Sequence, residues 1–195
     1  LLELIYEQDF LPCSYGFRPG RGAQDALDAV DRVIFRRPIS YVLEFDITSY
    51  FDTVVRSQLM EMIGRRIGDG RILQLIGKWI QVGAIEEGRL LVNKTGIGQG
   101  QVISPLLANI YLHHVLDRWF EEDVKPRLRG EAHEIRYADD GILCFEYQED
   151  AEKVLKVLHQ RFAKYGLTLH PDKTQLVEFG RYAAERRQRR GLGKP

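Results

Sequence analysis

The sequence predicts an α+β fold in which an antiparallel sheet packs on helices. Three observations lead there. Segments with apolar residues at helical spacing are of modest length and are separated by short β-rich runs. The β-rich runs read mostly as hairpins, hence antiparallel pairs. Acidic residues stand at the ends of those runs, where a layered α+β design leaves side chains exposed. The chain has 195 residues, enough for one good-sized core or two small subdomains. A hydrophobic content of 44% and a charged content of 29% exclude a disordered chain. The formal net charge of zero neither favours nor excludes a nucleic-acid partner.

Residues 1–13 read as the end of a helix or an apolar connector. Residues 14–22 form a loop with three glycines, a proline and two arginines. A helix over 23–36 places Ala26, Leu27, Val30, Val33 and Ile34 on one face, and Pro38 stops it. Residues 41–47 are a strand. A helix over 56–67 carries Leu59, Met60, Ile63 and Ile67 and is broken by Gly68-Asp69-Gly70. A helix over 71–82 follows (Ile72, Leu75, Ile76, Trp79), then two short strands within 84–92 around Glu87-Gly88. After the glycine-rich residues 95–100, Ser104 is expected to cap a helix with Pro105 at its first position, running to about Phe120. A helix over 149–165 ends at Gly166, where a C-terminal cap belongs, and 176–179 is a final strand.

The chemistry centres on residues 134–145, a hydrophobic hairpin interrupted by Asp139 and Asp140. Adjacent carboxylates repel each other and oppose burial, a conflict that a divalent cation resolves. Asp46, at the end of the strand 41–47, adds a third hard oxygen ligand of the kind Mg²⁺ prefers. Three carboxylates on two strand ends are the minimum equipment for two-metal phosphoryl or nucleotidyl transfer. Cys13 and Cys144 are isolated, with no metal-ligand spacing. His113-His114 is expected on a helix surface, and Tyr137 is expected to pack below the acids. Arg181, Arg186, Arg187, Arg189, Arg190 and Lys194 against Glu185 give the last fifteen residues a balance of +5, either a phosphate-contacting tail or a solvated terminus.

Five blocks occur in the order found in reverse transcriptases: Gly16-Phe17-Arg18-Pro19-Gly20-Arg21-Gly22; Phe45-Asp46-Ile47-Thr48-Ser49-Tyr50-Phe51-Asp52; Gly96-Ile97-Gly98-Gln99-Gly100 with residues 102–112; Arg136-Tyr137-Ala138-Asp139-Asp140; and Leu169-His170-Pro171-Asp172-Lys173-Thr174. Together they resemble the reverse transcriptase/maturase proteins of bacterial group II introns. Many reverse transcriptases carry proline where this chain has Gly98, and some group II intron proteins resemble this chain there. The resemblance implies the right-hand polymerase fold. Fingers would comprise about 1–40 and 65–105, the palm about 41–64 and 106–180, with 181–195 a basic linker toward a primer grip and thumb outside this sequence.

It also implies roles. Asp46, Asp139 and Asp140, with the Ile47 carbonyl, would hold two Mg²⁺ ions. Phe51 would either exclude a ribonucleotide's 2′-hydroxyl or serve as a core aromatic. Arg18 and Arg21 would grip the triphosphate, or stand exposed on their loop. Gln99 and Gly100 would lie against the nucleotide. Lys173 would either protonate the departing pyrophosphate or be a surface lysine. The expected activity is RNA-directed DNA polymerisation, with an RNA template, a DNA primer, dNTPs and intron RNA as partners. The alternatives are an RNA-binding maturase or a catalytically incomplete fragment. No apolar run reaches membrane-spanning length, and the expected location is the bacterial cytoplasm, with nucleic acid.

Overall fold

Alternating burial along residues 41–45 builds the centre of the molecule: Tyr41, Leu43 and Phe45 are buried, whereas Glu44 is exposed. The computed structural model describes residues 2–81, 85–86, 89–90, 95–97, 102–180, 183, 188–189 and 191. In chain order these form α1 (Leu2–Tyr6), α2 (Ala23–Arg36), β1 (Tyr41–Phe45), α3 (Tyr50–Thr53), α4 (Arg56–Arg66), α5 (Gly70–Gln81), β2 (Ile85–Glu86), β3 (Arg89–Leu90), α6 (Ser104–Leu112), β4 (Ala132–Tyr137), β5 (Asp140–Phe145), α7 (Gln148–Lys164) and β6 (Gln175–Glu178). From α6 the chain continues through two wide π-type turns, His113–Asp117 and Phe120–Val124. β4, β5, β1 and β6 form one antiparallel sheet in that order, and β2 pairs with β3.

The two faces of the sheet are covered unequally. Leu43, Phe45, Leu143 and Phe145 join Leu107, Ile110, Tyr111, Leu158 and Phe162 in the main core. Each such side chain removed from water contributes about 1.5–3 kcal/mol. Val42, Ile142, Cys144 and Ile135 point the other way, toward Ala26, Ala29, Val30 and Val33 of α2. The end of α7 follows the sequence expectation. Gly166 adopts φ +71°, its N–H donates to the Ala163 carbonyl (3.1 Å), and the Leu167 N–H donates to that of Phe162 (2.9 Å).

Several elements differ from expectation. Ser104 is not a cap but the first residue of α6, and its hydroxyl donates to the Ile97 carbonyl (2.5 Å), tying the helix to the glycine-rich stretch. The inward face of α5 is carried by Ile76 and Ile80, leaving Leu75 and Trp79 partly exposed. Leu27 of α2 is also exposed. His113 is buried, its ring edge against Phe10, because the helix through it is enclosed by the core on several sides. No helix among the described residues is long and apolar enough to cross a membrane.

Candidate metal and nucleotide site

Strand register brings the acids together. Phe45 pairs with Gly141 and Glu44 with Gln175, so extending the ladders by one and two residues sets Asp46 beside Asp140 on one side and Lys173 on the other. Tyr137 pairs with Asp140, leaving Ala138-Asp139 as a two-residue hairpin loop. Such loops require positive φ, and Ala138 supplies it at +57°. Beyond β1 the chain exchanges partners. The His170 N–H donates to the Asp46 carbonyl (2.8 Å) and the Thr48 N–H to that of Thr168 (2.9 Å), around an Ile47–Leu169 bridge. In that pattern the Ile47 carbonyl faces away from 168–170.

Electrostatically the site calls for a cation. Burial, reinforced by the Asp46 charge, raises the Asp139 carboxyl above its ordinary value. Burial and then the charges of Asp139 and Asp46 do the same for Asp140. Lys173 partly answers this: its Nζ donates to Asp46 Oδ2 (2.5 Å), and that bond raises the lysine pKa. Asp46, Asp139 and Asp140 offer carboxylate oxygens suited to a hard divalent cation. Beside them lies a groove of roughly 540 Å³ between α2 and the open sheet face, lined by Leu27, Glu44, Asp46, Tyr137, Asp140 and Lys173 among others. Tyr137 is therefore part of the groove wall, 38% exposed, and does not pack beneath the acids. Its place in the last pair before the loop turns its ring outward.

Phe51 sits on α3 with its ring half-buried beside Tyr50, whose hydroxyl donates to the Ala108 carbonyl (2.6 Å). The glycine-rich stretch is pinned against it. The Ile97 N–H donates to the Phe51 carbonyl (2.9 Å) and the Gly96 N–H to that of Val54 (2.9 Å). Gly96 holds φ +87°, and a Cβ there would lie 3.3 Å from the Asp52 Cα. Gln99 and Gly100 lie outside the described residues, as does most of 181–195.

Arg18 and Arg21 are corrected. Arg18 is buried, forming an ion pair with Glu7 (Nη2–Oε1 2.5 Å) and donating to the carbonyls of Leu11 (2.8 Å) and Ser14 (2.8 Å). Arg21 donates to the Pro12 (2.8 Å) and Ser14 (3.1 Å) carbonyls and covers the Tyr15 ring. Neither lines the groove beside the acids. They tie their loop to the preceding residues 11–14, because a guanidinium fork can donate to several carbonyls at once.

A buried network behind the acids was not foreseen. Arg136, Asp117, Asn109 and Ser14 are all buried, and the Arg136 guanidinium donates to each of the other three. The signal available in the sequence was Asn109 and Asp117 within an apolar helical run. Cys13, Asp117 and Glu134 also bring potential ligand atoms within 4.8 Å of one another. Both Asp117 oxygens are engaged by Arg136, however, and burial followed by the Asp117 charge pushes Glu134 well upward, toward its neutral form. This group reads as a charge-compensated interior cluster.

Comparison with known proteins agrees with this geometry. The family model described as reverse transcriptase (RNA-dependent DNA polymerase) matches residues 1–193. The chain is 36% identical over 170 residues to Protein YkfC of Escherichia coli, covering 73% of this chain and 45% of that protein. It is 31% identical over 193 residues to the group II intron-encoded protein LtrA of Lactococcus lactis subsp. cremoris, covering 94% of this chain and 32% of that protein. The chain thus spans less than half the length of these relatives. Among solved structures, telomerase of Candida albicans in complex with a fragment of telomeric RNA superposes with a TM-score of 0.71 at 17% identity, over 92% of this chain and 33% of that one. Apo telomerase of Candida tropicalis gives 0.69 at 15% identity, over 91% of this chain and 35% of that one. The shared fold is the fingers–palm α+β arrangement of polymerases.

Proposed function

Because this chain belongs to the reverse transcriptase (RNA-dependent DNA polymerase) family, we propose that it catalyses RNA-directed DNA synthesis, extending a DNA primer on an RNA template from dNTPs. The observation that carries this reading is the strand register that sets Asp46 beside Asp140, with Asp139 in the adjoining two-residue loop. The carboxyls raised by burial and mutual charge support it, since such groups gain most from a bound cation. Two Mg²⁺ ions, when bound, would activate the primer 3′-hydroxyl and stabilise the departing pyrophosphate.

The chain's own residues do the remainder. Asp46, Asp139, Asp140 and the Ile47 carbonyl hold the ions. The half-buried Phe51 ring excludes a 2′-hydroxyl by volume. Gln99 and Gly100 contribute nucleotide contacts. Lys173 exchanges its bond to Asp46 for one to the departing pyrophosphate and donates a proton there. Fingers occupy about 1–40 and 65–105, and the palm about 41–64 and 106–180. Similarity to LtrA along 94% of the chain supports an intron-encoded enzyme with intron RNA as a further partner.

Primer extension on an RNA template with Mg²⁺ tests this reading. Extension by the wild type and its loss in Asp139→Ala is the expected result. Extension retained in Asp139→Ala would overturn the assignment of the acids.

A further inference from the structure

Within the sequence motif Arg136-Tyr137-Ala138-Asp139-Asp140, Arg136 is a charged residue that the proposed chemistry leaves without a role. Arg136 is fully buried, yet its side chain carries a charge. All five of its guanidinium N–H donors are matched. Nε and Nη2 take the two oxygens of Asp117 (2.8 and 2.7 Å), and Nη2 also reaches Ser14 Oγ (2.8 Å). Nη1 donates to Asn109 Oδ1 (3.0 Å) and to the carbonyl of Ala138 (2.8 Å). That last carbonyl belongs to the peptide joining Ala138 to Asp139, so the guanidinium grips the hairpin loop directly behind the first acid.

The grip is closed into a ring. Asn109 Nδ2 donates to the Gly16 carbonyl (2.7 Å). Gly16 in turn lies so close beneath the loop that a Cβ on it would come within 2.3 Å of the Ala138 nitrogen. The strand leading to the loop is held as well: the Arg136 N–H donates to the Cys13 carbonyl, and the Tyr15 N–H to that of Arg136 (both 2.8 Å). Ala138 has the left-handed φ that its two-residue hairpin loop requires and that L-residues adopt rarely. Arg136, Asn109 and Gly16 hold the loop in that conformation, while the far side of the guanidinium is anchored on Asp117.

We propose that Arg136 is a positioning residue, whose guanidinium, steered by Asp117 and Asn109, fixes the Ala138-Asp139 loop so that Asp139 and Asp140 meet Asp46 around a divalent cation. The inference rests on the reading of these acids as metal ligands. Lysine cannot replace it, because an ammonium has three donors and no planar fork. Groups that orient metal ligands typically change affinity by about 10–100-fold when altered.

The test is Mn²⁺ binding to this chain by electron paramagnetic resonance, with circular dichroism melting of every variant. Wild type is expected to bind and Asp139→Ala to lose binding. Arg136→Lys and Asn109→Leu are expected to stay folded and to bind at least about tenfold more weakly. Asn109→Leu leaves the Arg136–Asp117 pair in place, so it reports on the loop even where Arg136→Lys unfolds. Wild-type affinity in a folded variant of either kind would overturn the proposal while leaving the metal reading intact. Unfolding of both would also overturn it, since the network would then serve the fold and not the loop. Absence of Mn²⁺ binding by the wild type would remove the metal reading itself, and this inference with it.

Discussion

Replacing Gly16 with alanine should damage the site from behind. The added methyl would stand 2.3 Å from the Ala138 nitrogen, 3.0 Å from its Cα and 3.1 Å from its Cβ, where ordinary contact begins at 3.4 Å. The two backbones must therefore part by about 1 Å. The two nearest obstructing atoms are main chain in a two-residue loop and the third is an alanine Cβ, so no rotamer change can relieve the overlap. Overpacking of this kind costs about 1–3 kcal/mol, and a backbone obstruction places it near 3. For a chain of this size that is a fall in Tm of roughly 6–12 °C. Because the displaced loop carries Asp139, and a 1 Å misplacement of reacting groups lowers rates by about 100-fold, extension should fall on that order. Gly68→Ala is the control: nothing lies within 4 Å of its Cβ and its φ is unexceptional, so Tm should hold or rise slightly. Thermal melts and primer extension read both. A Gly16→Ala protein that melts and extends like wild type would refute the packing argument.

Further predictions concern the site itself. Asp139→Asn should abolish extension yet raise Tm in chelator, by less than about 4 °C for a partly exposed group whose gain is below about 1 kcal/mol. The sign follows from the raised folded pKa: ionised Asp139 opposes folding above that value and ceases to do so once protonated, so the Tm gain should vanish as pH falls through the carboxylate range. For the same reason the Mg²⁺ concentration giving half-maximal extension should fall as pH rises through it. Phe51→Ala should lower discrimination against ribonucleotides by about 10–200-fold in a dNTP/rNTP competition, and unchanged discrimination would return Phe51 to a purely structural role. Lys173→Gln should leave Tm close to that of wild type, its side chain being 63% exposed. It should also slow extension by about 10²–10⁴-fold and remove the alkaline limb of the rate profile, and an unchanged profile would make it a surface lysine.

Much of this arrangement is legible without coordinates because it is local. The hairpin around Asp139 and Asp140 announces itself through apolar flanks and an acidic tip. Gly166 ends α7 because the left-handed cap needs glycine, and α2 and α4 begin within a residue or two of where their periodicity starts. What escapes is decided by distant partners. Arg18 has the same local signature whether it faces a phosphate or a carboxylate, and only the fold brings Glu7 to it. The pairing of Lys173 with Asp46 depends on a strand register spanning 127 residues. Ser104 looks like a cap until the Ile97 carbonyl arrives to take its hydroxyl. Arg136 lies in plain view within a motif, but its five bonds reach residues as far away as Ser14, and no periodicity encodes them.

The central claim is that Asp46, Asp139 and Asp140 jointly hold divalent cations. Fe²⁺ in place of Mg²⁺, with ascorbate and peroxide, cleaves backbone next to where the metal sits, and mass spectrometry of the fragments locates the cuts. The account predicts cuts clustered near residues 44–48 and 137–141, suppressed by excess Mg²⁺ and lost in Asp139→Ala. Cuts instead around Cys13, Asp117 and Glu134, or a pattern unchanged in Asp139→Ala, would contradict it.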